Sequence, residues 1–113
     1  MSNEFQPILV TCSFPDATSA RATGKKLLEE KLAACVTLIA DVESQYHWQG
    51  KIESSREHLT HIKTSALLFE QVSKLIRSSH PYEVPEIIAT EIKYIDPDYT
   101  LWMQDSLKPS SRA

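Results

Sequence analysis

Apolar residues recur along this chain with two different periods, and the switches between them mark the elements. Ile8 to Phe14 opens on a β-branched apolar run (Ile8, Leu9, Val10, Thr11), which reads as a strand. Pro15-Asp16 breaks it, and Asp16 is placed to cap a helix. On that helix Ala17, Ala20, Gly24, Leu27, Leu28 and Leu32 form one stripe. Gly24 lowers helix propensity by up to ~1 kcal/mol relative to alanine, so its place on the stripe predicts a close helix–sheet approach. Cys35 to Trp48 then alternates: Val36, Leu38, Ala40, Val42, Tyr46 and Trp48 on one side, Thr37, Asp41, Glu43, Gln45 and His47 on the other. Period two over that length predicts one long strand.

Gln49-Gly50 is the turn, and Lys51 to Thr64 the returning strand, with Ile52, Leu59 and Ile62 as its apolar members. Their change of parity predicts a bulge or break between Ile52 and Leu59. Ser65 is placed to cap a second helix with Leu68, Phe69, Val72, Leu75 and Ile76 on its buried face. That helix must stop before Pro81, near Ser78. Pro81 and Pro85 hold His80 to Glu86 extended, and Ile87 to Tyr94 reads as a fourth strand. Asp96-Pro97-Asp98 opens a short last helix through Leu107 that is expected to bury Leu101, Trp102 and Leu107.

Strand, helix, strand, strand, helix, strand and a final helix is an α+β arrangement: a ferredoxin-like βαββαβ sandwich with an extra C-terminal helix. The usual sheet order is 4-1-3-2, with both helices on one face. The reading sets strand one parallel to strand three and antiparallel to strand four. The Cys35–Thr64 hairpin is too long for this plan. Each arm has about 14 residues, roughly 45 Å at ~3.3 Å per residue, about twice the first and fourth strands. Its tip projects past the sheet, and an apolar face ending in Tyr46 and Trp48 predicts a partner subunit.

Composition narrows the function. The 113 residues are 42% hydrophobic and 24% charged, enough for one folded domain over 1–113 and too apolar for disorder. Met1 to Pro7 and Lys108 to Ala113 read as loose ends. With a net charge of −3 and scattered Lys and Arg, no basic stripe suggests nucleic acid. Gly24 and Gly50 are the only glycines, so no glycine-rich phosphate loop exists. No apolar run approaches the ~18 residues of a membrane span. The polar, acidic N-terminal stretch does not read as a signal peptide. Two cysteines in such a chain point to reduced thiols and a cytoplasmic location.

Several blocks together resemble one family. Glu30-Lys31-Leu32-Ala33-Ala34-Cys35-Val36, Tyr46-His47-Trp48-Gln49-Gly50-Lys51-Ile52-Glu53, Ile62-Lys63-Thr64, His80-Pro81-Tyr82-Glu83-Val84-Pro85-Glu86-Ile87 and Tyr99 to Trp102 occur in the order and at the spacing of CutA proteins. The resemblance implies a homotrimer of ferredoxin-like protomers, similar in architecture to PII signalling proteins. It also implies a link to divalent-cation tolerance, with copper as the expected metal.

The resemblance further implies a metal site built on Cys12, with two adjacent histidines before the proline. His80 matches the second histidine, but Ser79 stands where the first would be, and serine is a poor ligand. Cys12 at the end of strand one and His80 in the segment entering strand four are therefore the expected ligands, with Glu86 nearby. A thiolate with an imidazole suits copper or zinc. Lys63-Thr64 and Cys35 are expected at the same end of the sheet. Ordinary readings stand beside these: Cys12 as a small buried hydrophobe, His80 as a ring bonding a backbone carbonyl, and Cys35 as packing. Glu53, Glu57 and Glu86 read as solvated or ion-paired.

His58 and His61, three apart, point to opposite faces and do not share a metal. Strand three separates Cys12 from Cys35 by two spacings of ~4.8 Å. A disulfide needs Cα atoms within ~7 Å, so two free thiols are expected. No spacing suggests a catalytic triad, so the chain is not read as an enzyme. Three functions remain: a metal-binding trimer, a PII-like sensor taking a small anionic metabolite between subunits with Lys63 as a contact, and a structural trimer without chemistry.

Overall fold

In a computed structural model that describes residues 5–109, the sheet is built around β1 (Pro7–Phe14). Its even-numbered side chains Ile8, Val10, Cys12 and Phe14 are all buried. The odd-numbered Leu9 and Thr11 are half-exposed on the other face. Helix α1 (Ala17–Glu29) follows, its first turn capped by Asp16, whose carboxylate accepts the Ser19 N–H at 2.7 Å. Ala20, Thr23, Gly24 and Leu27 are its buried residues. Gly24 does mark a close approach: a Cβ there would stand 3.0 Å from Val36 Cγ1. The helix ends when Leu32 N–H bonds back to the Leu27 carbonyl, with Lys31 at φ 57°, a Schellman-type stop.

The long hairpin comprises β2 (Cys35–Trp48) and β3 (Lys51–Ser65). Gln49 and Gly50, at φ 51° and 79°, form its two-residue turn. Helix α2 (Phe69–Ser79) is entered through a 3-10 turn at Ala66–Leu68, where the Ser65 hydroxyl accepts the Leu67 N–H. Strand β4 (Ile88–Glu91) and helix α3 (Pro97–Ser106) complete the chain. The sheet order is β2-β3-β1-β4, the expected 4-1-3-2 read from the other edge. The β1 side chains pack with Leu27, Leu68, Val72 and Ile76, so α1 and α2 lie on one face.

Three expectations change. First, β1 pairs antiparallel with β3 as well as with β4. The helix between β1 and β2 crosses the full sheet and returns the chain, and the hairpin then reverses it, so β3 opposes β1. Second, the irregularity lies on β2. Ile39 pairs Leu59 and Val42 pairs Glu57, leaving Ala40 and Asp41 opposite His58. Asp41 takes φ 60°, and Arg56 clamps it through Nε to the carboxylate at 2.9 Å and Nη2 to the carbonyl at 3.0 Å. The bulge splits the expected β2 stripe. Val36 and Leu38 share a face with the buried Ile62 and Thr60 across the ladder, whereas Val42, Tyr46 and Trp48 continue the Ile39 face. Third, α3 buries Met103, with Leu107 just beyond it, while Leu101 and Trp102 are 60% and 46% exposed. The core side of α3 runs through Tyr99, Met103 and Leu107 at i, i+4 spacing.

Strand β4 is shorter than expected because β1 begins at Pro7. Glu91 pairs Ile8, and Ile92 N–H reaches the Pro7 carbonyl, where the ladder ends. Of the two ends read as loose, residues 1–4 and 110–113 lie outside the described residues; the rest is corrected, since Phe5 packs on the core, Gln6 accepts the Ala66 N–H, Pro7 is a buried strand residue and Lys108 N–H bonds the Lys31 carbonyl.

The uncovered face of the sheet carries apolar side chains between the polar Thr11, Thr37, His61 and Lys63. Leu9, Ile39, Leu59 and Ile88 lie on it, and Tyr46 and Trp48 extend it up the hairpin. Trp48 is 58% exposed.

Candidate functional site

Where β1 ends, the segment after α2 folds over it. Cys12 pairs Thr60 on β3, and the Thr60 hydroxyl donates to the Cys12 carbonyl at 2.8 Å. Cys12 is 0% exposed, inside the core. Burial, and then the charges of Glu86 and Glu57, push its thiol up to about 12. His80 is the residue where α2 gives way to extended chain, and its ring stacks on Phe14 with centroids 4.4 Å apart. Nε2 lies 2.7 Å from the Ser13 carbonyl, and Nδ1 accepts the Tyr82 N–H at 3.0 Å. A carbonyl can only accept and an amide N–H only donate, so these partners assign the neutral tautomer with the proton on Nε2.

Tyr82 donates its hydroxyl to Glu57 Oε2 at 2.7 Å. Burial comes first among the causes that raise the Tyr82 phenol, followed by its bond to Glu57. Glu57 itself is 6% exposed, which corrects its reading as a solvated or ion-paired carboxylate: it lies beyond the end of β1, where Tyr82 covers it. The one signal in sequence is its place beside the change of parity in β3.

Ser79, at the position of the missing histidine, faces elsewhere. Its hydroxyl lies 3.1 Å from Thr23 Oγ1 of α1 and donates to the Leu75 carbonyl at 3.3 Å. It ties α2 to α1 and engages neither Cys12 nor His80.

A second cluster forms at the opposite end of the sheet. Because β1 and β3 are antiparallel, Lys63 pairs Leu9 and Cys35, far along the ladder from Cys12; the expected shared end is therefore corrected. Lys63 Nζ donates to Tyr99 Oη at 3.1 Å, reaches Cys35 Sγ at 3.9 Å, and lies 5.4 Å from the Tyr99 ring centroid. The Tyr99 hydrogen bond leads the causes that raise the Lys63 ammonium. Tyr99 in turn packs against Trp102 at 5.2 Å. Cys12 and Cys35 are both free thiols, as their separation by β3 requires. His58 pairs Phe14 and His61 pairs Thr11, on opposite faces.

The family profile of the CutA1 divalent ion tolerance protein matches residues 8–106. The chain belongs to the CutA1 family. It is 36% identical over 107 residues to the divalent-cation tolerance protein CutA of Escherichia coli strain K12/DH10B, covering 95% of this chain and 96% of that protein. Among solved structures it is similar to CutA1 from Oryza sativa, with TM-score 0.90, 33% identity, and 95% and 98% of the two chains covered. It is also similar to the divalent cation tolerance protein from Thermus thermophilus, with TM-score 0.88, 33% identity, and 90% and 99% covered. The ferredoxin-like reading of the fold accords with these CutA1 neighbours.

CutA1 membership makes a divalent cation relevant, and the Cys12–His80 corner can be tested for fit. A metal needs a nitrogen lone pair and a reachable thiolate. Here Nε2 carries the proton, the Nδ1 lone pair is occupied by Tyr82, and the thiol is protonated and enclosed. The two residues do not fit a metal in the arrangement this protomer adopts. Among the described residues no group of three or more His, Cys, Asp or Glu side chains could hold an ion.

Proposed function

We propose that this CutA1-family chain acts as a homotrimer in divalent-cation tolerance, with copper as the cation and the cytoplasm as its compartment. The observation that carries the assembly is the uncovered sheet face, its apolar side chains running into an overlong hairpin capped by Tyr46 and Trp48. In a monomer this face would stay in water, and burying apolar surface yields about 25 cal/mol per Å². The role in cation tolerance is supported by full-length similarity to proteins of that name. Two free thiols agree with a reducing compartment. Among the described residues no helix is long and apolar enough to cross a membrane.

Light scattering after size exclusion tests the assembly, with an expected mass three times that of the 12.8 kDa chain. Trp48→Ala should weaken it by about 2 kcal/mol or more, the usual contribution of an anchoring tryptophan. A parent protein of single-chain mass at micromolar concentration sinks the trimer. Copper calorimetry on the assembled protein tests the cation, and absence of a saturable binding heat removes copper.

The PII-like reading has one specific observation in its favour. Among the described residues Lys63 is held by a phenol and a thiol, not by a carboxylate, which leaves its charge for an anion. A thermal-shift screen of nucleotides and small carboxylates tests it; equal shifts in the parent and Lys63→Met exclude Lys63 as the contact.

A further inference from the structure

We infer that Cys12 and His80 form a closed structural corner in this chain, with His80 as a positioning residue for the Pro81–Glu86 strap, and that any cation the chain takes is bound without them. The argument begins with hydrogen bonds. The imidazole commits its donor to the Ser13 carbonyl and its acceptor to the Tyr82 N–H. Moving the proton to Nδ1, so that Nε2 could ligate, would set two N–H groups against each other at Tyr82 and exchange the 2.7 Å bond to the Ser13 carbonyl for the weak Cys12 thiol contact at 3.8 Å. Ser13 is 6% exposed and His80 9% exposed, so water does not readily replace the lost partner, and an unsatisfied buried group costs about 1–3 kcal/mol.

Packing adds a second constraint. The ring is stacked on Phe14 and tilted against Tyr82 at 5.0 Å, so turning it outward breaks two aromatic contacts. Cys12 is fully buried in the core cluster that also holds Phe14, Leu27, Val72 and Ile76, and its thiol points to the same Ser13 carbonyl at 3.8 Å. The third constraint is particular to this sequence. Ser79 cannot supply an imidazole, and its hydroxyl is committed to Thr23 and Leu75. Tyr82, next along the strap, reaches the buried Glu57 at 2.7 Å. His80 and Tyr82 thus pin the strap at two points, Ser13 of β1 and Glu57 of β3. The residues that would open a metal site are those that hold this corner shut.

This inference does not depend on the trimer or on copper, and its test reads the metal-free protein first. Native-state alkylation followed by mass spectrometry should leave Cys12 unlabelled until the protein unfolds. His80→Ala should lower the metal-free melting temperature and speed Cys12 labelling about tenfold, as expected for loss of two hydrogen bonds from a local opening equilibrium. His80→Gln, whose amide can still donate to Ser13, should recover part of both. Zinc added to ¹⁵N-labelled protein should leave the His80 ring in its Nε2–H form. Cys12→Val, which keeps the core filled, should bind copper and zinc as the parent does. Metal-bound ¹⁵N shifts at His80, loss of metal binding in Cys12→Val, or a His80→Ala variant as stable as the parent would each overturn the inference.

Discussion

Asp16 shows how one side chain both starts an element and responds to pH. Its carboxylate accepts the Ser19 N–H, and that bond leads the causes that hold it below the usual 3.8. A depressed carboxylate stabilises the fold above the unfolded pKa, and the effect is lost as pH falls through the folded value. Asp16→Asn keeps a cap but cannot titrate. The parent should therefore exceed Asp16→Asn in melting temperature at pH 6, and the gap should close as pH falls below the usual 3.8 and through the lower folded value. Parallel profiles from about pH 6 to about pH 2.5 would show that the charge of the cap plays no part. Other residues were less legible. The ordinary readings of Cys12 and His80, buried sulfur and carbonyl-bonded ring, describe their observed contacts. The engagement of His80 with Phe14 and Ser13 is not legible in the sequence because it joins positions as much as 67 apart, and its bond from Tyr82 N–H, only two positions away, depends on the turn of the strap.

At the scale of elements, the bulge on β2 decides which way the hairpin tip faces. Side chains alternate with period two, so one extra residue turns every later side chain to the other face. Ala40 and Asp41 stand opposite the single His58, an excess of one residue on β2. Removing Asp41 should preserve the ladder from Cys35 to Ile39 and from Val42 to Trp48, but present Tyr46 and Trp48 on the reverse face. The expected result is a folded protein with native far-ultraviolet circular dichroism that fails to reach the parent's assembled mass. An unchanged mass would show that the tip's facing does not govern assembly. The sequence carried only a faint trace of this bulge, the adjacent apolar pair Leu38-Ile39. The visible parity change in Lys51–Thr64 was assigned to β3, but β3 is regular and its partner carries the irregularity.

For the whole molecule, the controlling feature is the imbalance between the two sheet faces. Two helices cover one; the other keeps Ile39 and Ile88 in contact with solvent in the single chain. The principal extents of 47 × 26 × 22 Å record a body with a long arm. If a partner covers that face, folding and assembly are linked, and the melting temperature should rise with protein concentration. Melts across a roughly hundredfold dilution read this directly, and a constant midpoint argues for a protomer stable by itself.

Periodicity, turn residues and caps determined the elements, because each depends on neighbours a few positions away: Asp16 at the helix start, Gln49-Gly50 at the turn, Pro81 after the second helix. The split βαβ pattern added the strand order, and the family blocks the expected site. Tertiary structure alone decided strand polarity relative to β1, the strand that bulges, the face of α3 that is buried, and the separation of Lys63 and Cys35 from Cys12. It also decided that Glu57 is enclosed and that both nitrogens of His80 are engaged. Except for the local bond from Tyr82 N–H to His80 Nδ1, these depend on how distant segments meet, set by how the sheet closes on its helices and not by the local pattern of any one of them.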